Sequence, residues 1–208
     1  MVSPLHMRGA LLELIEREAR HAAQGQPARI AVKVNALVDP EVIRALYRAS
    51  QAGVRIDLLV RGICCLRPGL PGVSERIRVI SIVDRFLEHA RCFYFEAGGR
   101  QEVWLSSADW MPRNFQRRVE VAFPVEDPRL KARIIEEVLQ LSLADDVKAR
   151  RLRPDGAWER LPTQSALRSQ ERLLAAARKT AAAEESEMRL LEPLALGTPR
   201  AARRRRRP

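Results

Sequence analysis

No stretch of the 208-residue chain reaches about 18 uninterrupted apolar residues, so its length pattern excludes a membrane-spanning helix. The opening segment, MVSPLHMRGALLELIERE, acquires charge too early for a secretory signal, and the expected compartment is the cytoplasm. Cysteine is scarce: Cys64 and Cys65 are adjacent and Cys92 stands alone. No C-x-x-C spacing exists, which argues against a zinc site, and adjacent cysteines bridge poorly, so reduced thiols are expected. A Gly-x-x-x-x-Gly-Lys loop is absent, which excludes P-loop phosphotransfer. Only three histidines occur, His6, His21 and His89, and only four of the 37 basic residues are lysine.

What is present suits one globular domain with appendages. Apolar residues make up 46% and charged residues 30%, enough for a sizeable core over the first 160 residues. The net charge of +11 is uneven: residues 1–160 contribute +5 and residues 161–208 contribute +6, five of these from Arg203 to Arg207. An arginine-dominated excess points to a polyanionic partner such as a nucleotide, a phosphoanhydride or nucleic acid. For the tail alone, a solvated arginine run is the plainer reading, and nucleic acid enters only through it.

Residues 7–23 read as an amphipathic helix stopped by Gly25 and Pro27. Residues 29–35 form a strand too apolar for an exposed sheet. Asp39 and Pro40 open a helix that runs to about Ser50, and 54–60 is a second buried strand. This strand–helix–strand unit implies a parallel pair with a right-handed crossover. The Gly/Pro-rich loop 61–72 leaves the end of a parallel strand, where open α/β sheets place ligands. Further strands are expected at 77–83, 91–95, 102–106 and 119–124. A helix is expected over 128–143, with Leu130, Ile134, Ile135, Val138 and Leu141 on one face, and a final hairpin at 147–160 turning at Asp155-Gly156. The expected division is a helical lead-in at 1–26 that ends a preceding catalytic domain, a domain at 27–161, a helix at 162–192 and a disordered basic tail at 193–208.

His89 lies between strands after the loop, where a histidine can move a proton or meet a phosphoryl group, although a structural histidine is commoner. Ser107, Asp109, Arg113 and Asn114 follow a strand and suit phosphate oxygens; alternatively, Ser107 or Asp109 caps a short helix. Arg61 and Arg67 flank the loop. Arg117 and Arg118 enter a strand, so at most one of them faces a given pocket. Arginine suits such a site because its fork matches two phosphate oxygens.

These residues fall into six ordered motifs: Lys33-Val-Asn35-Ala-Leu-Val-Asp39-Pro, Val60-Arg61-Gly-Ile-Cys-Cys-Leu-Arg67-Pro-Gly, Ser81-Ile-Val, Phe86-Leu-Glu-His89, Ser106-Ser-Ala-Asp109-Trp-Met-Pro-Arg-Asn114 and Arg117-Arg-Val-Glu120. Together they resemble the last catalytic domain of bacterial polyphosphate kinases of the long-chain-synthesising type, over about residues 5–160. The resemblance implies an α/β fold: one phospholipase-D-like half, with a mixed, mainly parallel sheet flanked by helices. It implies reversible transfer of the ATP terminal phosphate to polyphosphate through a phosphohistidine on the preceding domain. It makes His89 the second histidine and Arg61 a nucleotide-phosphate ligand. With the phosphate-suited residues read above, the expected ATP- and polyphosphate-binding set is Arg61, Arg67, His89, Ser107, Asp109, Arg113, Asn114 and Arg118. Magnesium would accompany the nucleotide, with its ligands mainly on the preceding domain and none here. The full-length enzyme would be a homo-oligomer, and the missing upstream domains would be partners.

Ala36 departs from the usual serine, and neither His6 nor His21 sits in a motif like that of the nucleophile. The chain is therefore expected to be inactive alone. The alternative is a non-catalytic module that binds polyphosphate or nucleotide. A phospholipase-D-like hydrolase is the weakest reading, because that class wants lysine two residues after its histidine and Arg91 stands there.

Overall fold

The computed structural model describes residues 1–190; the tail expected at 193–208 lies outside the described residues. The chain divides into two units, Met1–Arg172 and Leu173–Pro208. In the first, a nine-stranded sheet runs in the order β1-β7-β6-β5-β2-β3-β4-β8-β9. Its strands are β1 (Val2–Ser3), β2 (Arg29–Val34), β3 (Arg55–Val60), β4 (Ile77–Ile82), β5 (Cys92–Phe95), β6 (Glu102–Ser106), β7 (Glu120–Pro124), β8 (Ala149–Leu152) and β9 (Trp158–Arg160).

The mixed sheet was expected, but its parallel part is narrower than the sequence suggested. Only β2–β3 and β3–β4 pair parallel; every other neighbouring pair is antiparallel. Connection length is the reason. A parallel return needs a dozen or more residues, and the segment between β4 and β5 is too short for it, so β5 comes back antiparallel beside β2.

Helix α1 (Met7–Ala23) and helix α2 (Pro40–Gln51) cover one face. Asp39 caps α2 by accepting from the N–H groups of Glu41 and Val42, both at 3.1 Å, and Pro40 takes the first turn, where a donor is not needed. Strand side chains alternate between faces. Ile30, Val32, Val34, Ile56, Leu58 and Val60 join Leu11, Ile15 and Leu46 in one core, and Ala31, Leu59, Ile80 and Tyr94 join Leu139 and Leu143 in the other.

The second core is closed by a helical run that changes pitch: α4 (Pro128–Arg133), a π-helical stretch at Ile134–Gln140 and α5 (Leu141–Leu143). Ile134, Ile135 and Val138 of the expected apolar face pack against this core, while Leu130, ahead of the π stretch, is exposed. The π stretch, whose hydrogen bonds span five residues instead of four, adds Leu139 and Leu143 to the buried side.

The hairpin of β8 and β9 turns at Asp155-Gly156 as expected. Helix α6 (Ser169–Leu190) starts later than the expected 162, because Asp146 holds the preceding residues in a non-helical return. Its carboxylate accepts from the N–H groups of Gln164, Ser165 and Leu167. No helix among the described residues is long and apolar enough to cross a membrane.

At the N-terminal ends of the parallel strands, buried Asp57 gathers Arg29, Arg55 and Arg78 at 2.9, 3.2 and 3.0 Å. Those three arginines are occupied at the edge of the sheet opposite to the one that carries Arg61.

Candidate active site

Strands β2 and β3 end in register at Val34 and Val60, so Asn35 and Arg61 leave the sheet side by side. The Arg61 N–H donates to the Val34 carbonyl at 3.2 Å, and Arg61 Nε donates to Asn35 Oδ1 at 2.9 Å. Gly62 follows, its N–H donating to the Asn35 carbonyl at 2.9 Å. A Cβ at Gly62 would meet that carbonyl oxygen at 3.0 Å, so close approach requires glycine there. Asn35 is only 8% exposed, and its Nδ2 has no partner among the described residues. A buried donor left open beside a guanidinium is suited to an anionic oxygen.

The antiparallel return of β5 brings its N-terminal end to this same edge, with Cys92 opposite Lys33. His89, exposed, precedes it. The Arg91 guanidinium lies along the imidazole, with Nη2 3.1 Å from Nε2 and Nη1 3.3 Å from Nδ1, and Nη1 also donates to the His89 carbonyl at 3.2 Å. Arginine has only donors, so whichever ring nitrogen it bonds is the acceptor. Arg91 Nη2 donates in turn to Asp109 Oδ2 at 2.7 Å. The other Asp109 oxygen accepts from the N–H groups of Asn35 at 2.6 Å and Ala36 at 3.2 Å.

One carboxylate thus ties the end of β2 to the residue that orients His89. Burial alone would raise the Asp109 carboxyl, but the Arg91 hydrogen bond and charge and the two backbone donors outweigh it and hold it below the usual value.

A second set of contacts holds the His89 segment from behind. Lys33, 7% exposed, forms an ion pair with Glu88 and lies 3.3 Å from Ser142 Oγ. The Gln170 side chain brackets the backbone of Phe86: Oε1 accepts from its N–H and Nε2 donates to its carbonyl, both at 2.8 Å. The same Nε2 lies 2.8 Å from Glu88 Oε1. Arg168 grips Asp84 through Nε at 2.8 Å and Nη2 at 2.7 Å, and its hydrogen bond holds the Asp84 carboxyl low.

The expected residues therefore divide. Arg61, His89 and Asp109 are linked through Asn35 and Arg91. Ser107 and Asn114 gather instead on buried Glu120: Asn114 Nδ2 donates at 2.7 Å, and the Ser107 hydroxyl donates as well. Arg118 reaches the same carboxylate at 3.9 Å. Neither Ser107 nor Asp109 caps a helix: α3 (Pro112–Arg117) has Met111 at its N-cap with no side-chain bond. Arg117 ends α3 and does not enter a strand, because Pro112 starts a helical turn there. Arg67 and Arg113 are exposed and make no ion pair among the described residues; the Arg67 backbone is fixed by Tyr47 and Ser74.

Sequence reasoning missed Lys33, Glu88, Arg91 and Gln170 as site residues. A lysine in an otherwise apolar strand and the charges flanking His89 were readable signals, whereas Gln170 is 84 residues from its partner Phe86.

Glu88, Asp109 and Glu120 are the carboxylates that the site residues gather on, and each is already committed to a cation and further donors. They do not fit a divalent-cation site of their own.

The family model for the polyphosphate kinase C-terminal domain 2 matches residues 1–170. The polyphosphate kinase of Thermosynechococcus vestitus is 57% identical over 158 residues, which are 76% of this chain and 21% of that protein. That of Pseudomonas aeruginosa is 58% identical over 159 residues, 76% of this chain and 23% of its own length. The crystal structure of polyphosphate kinase from Porphyromonas gingivalis superposes with a TM-score of 0.81 at 42% identity, covering 86% of this chain and 28% of that one. The chain spans about a fifth of the length of the curated relatives it matches. With most of its length matched by that one model, the chain belongs to the family of the polyphosphate kinase C-terminal domain.

Proposed function

We infer that this chain supplies the nucleotide- and polyphosphate-binding side of a polyphosphate kinase site, in which the terminal phosphate of ATP passes reversibly to a growing chain. The observation that carries the reading is the linkage Arg61–Asn35–Asp109–Arg91–His89 at one strand-end edge. Arg61 offers a fork to phosphate oxygens and Asn35 Nδ2 an open donor beside it. His89 orients the transferring group or protonates the departing oxygen, a role worth about 10²–10⁴ in rate. Asp109 acts through Arg91 as a positioning residue. Ser107 and Asn114 organise the edge through Glu120, and Arg67, Arg113 and Arg118 add positive charge for the approach of a polyanion. Magnesium enters with the nucleotide.

The phosphohistidine of the reaction matches none of His6, His21 or His89, so these residues alone form no phosphoenzyme. The test is labelled ATP with the purified chain, with and without the remaining region of a polyphosphate kinase added in trans. No acid-labile label is expected on this chain, and His89→Ala is expected to remove nearly all of the restored synthesis. Phosphate label on the chain that His89→Ala abolishes, or parent turnover by the restored His89→Ala enzyme, overturns the assignment. Tight polyphosphate binding without restored synthesis supports the non-catalytic binding module instead.

A further inference from the structure

Beside Arg61, a cleft of about 390 Å³ opens toward the β8–β9 hairpin, lined by Ser81, Lys148, Arg150 and Trp158. The hairpin treats its two faces differently. On one, Arg151 and Arg153 both pair with Glu159, Arg151 Nε at 2.8 Å and Arg153 Nη1 at 3.4 Å, and Arg153 Nε lies 3.6 Å from Asp155, so two carboxylates balance the two guanidinium groups. On the other, Arg150 stands opposite Ser81 of β4 and opposite Arg160 of β9. Like charges directly opposite each other in a sheet are destabilising. No carboxylate relieves them: Lys148, Arg150 and Arg160 make no ion pair among the described residues. Asp84, whose carboxyl feels the Lys148 charge, is already gripped by Arg168.

We propose that this row is a second phosphate-chain subsite, holding the distal phosphates of a linear polyphosphate whose end lies at Arg61. The inference rests on the reading of Arg61 as a phosphate ligand and extends it to the length of the ligand. The row crosses from β3 through β4 and β8 to β9, three interstrand steps or about 14 Å. That is the shape of a line, complementary to a linear polyanion and longer than a single phosphate requires. Ser81 joins the two parts, its hydroxyl donating to the Arg61 carbonyl at 3.0 Å. One aromatic, Trp158, borders the cleft, which offers no succession of stacking platforms for the bases of a single-stranded nucleic acid.

The experiment compares long-chain inorganic polyphosphate with tripolyphosphate on three chains: the parent, Arg61→Ala, and the double variant Lys148→Glu/Arg150→Glu. Both reversed residues are exposed, and circular dichroism checks that the double variant is folded. The double variant is expected to lose at least about tenfold in long-chain affinity at low salt, a loss that shrinks as salt is added, with tripolyphosphate affinity unchanged. Parent-like long-chain affinity in the folded double variant overturns the subsite. So does an oligonucleotide of equal charge that competes on the parent as well as polyphosphate does. An Arg61→Ala chain that binds both phosphates as the parent does overturns the reading of the Arg61 site and leaves the charge-reversal comparison to decide the subsite.

Discussion

Replacing Asp109 by alanine is the most informative single perturbation of the fold at the site. The side chain is 11% exposed and accepts three hydrogen bonds, from the Asn35 and Ala36 N–H groups and from Arg91. Alanine leaves two buried backbone donors without an acceptor and Arg91 without its counter-charge. Truncating one member of a buried ion pair costs about 3–5 kcal/mol, and each stranded donor about 1–3 kcal/mol. These overlap, because they describe one side chain, so the expected loss is about 4 kcal/mol out of a total stability of about 5–15 kcal/mol. With a urea slope of about 2 kcal/mol/M, the midpoint should fall by about 2 M. Tryptophan fluorescence reports the transition well, because Trp110 is buried next to Asp109 in sequence, its ring 5.1 Å from that of Phe93. Asp109→Asn keeps an acceptor for the backbone donors and loses only the charge, so its cost should be about 1.5–3 kcal/mol. A midpoint shift below about 0.5 M for Asp109→Ala, at unchanged slope, would refute the bridging role.

Gln170→Ala removes the bracket on Phe86 and the contact to Glu88. In the restored enzyme it should lower kcat at least about tenfold while leaving tripolyphosphate affinity of the chain near the parent value, because Arg61 is held independently by Asn35; an unchanged kcat overturns that positioning role. Burial pushes the Cys92 thiol up to about 12 and the Cys64 thiol up to about 11, so iodoacetamide near pH 8 should label exposed Cys65 first, as peptide mapping would show. The Asp146 carboxyl is held at about 2, chiefly by the Ser165 N–H and by those of Gln164 and Leu167, against an ordinary 3.8. A depressed folded value stabilises above the unfolded one, so the 163–168 return should persist as pH falls below 4 and loosen only near 2. Amide exchange of Ser165 and Leu167 across that range tests it, and loosening already at pH 4 contradicts the assignment.

Much of the scaffold was legible because its signals are local. The Asp39-Pro40 start of α2, the apolar runs of β2 and β3 and the Asp155-Gly156 turn each depend on a few neighbouring residues, and each appears where the sequence placed it. The start of α6 was less legible, because the Asp146 carboxylate that delays it lies some twenty residues upstream. The apolar stripe of residues 128–143 was read in part: Ile134, Ile135 and Val138 pack against the core as expected, whereas Leu130 is exposed and Leu139 and Leu143 join through the change of helical pitch.

By itself the sequence determined the elements, the family and the chemical types at the site: an arginine after β3, a histidine before β5 and a carboxylate after β6. Only the tertiary structure decided which of these meet. The antiparallel return of β5 sets His89 beside the ends of β2 and β3, and Asp109 closes the link through Arg91. Ser107 and Asn114, two and five residues from Asp109 in sequence, turn away to Glu120 because a buried carboxylate needs donors and theirs are within hydrogen-bond reach. Such choices depend on register and on which buried polar group still lacks a partner, quantities spread over residues far apart in the chain that no local pattern encodes.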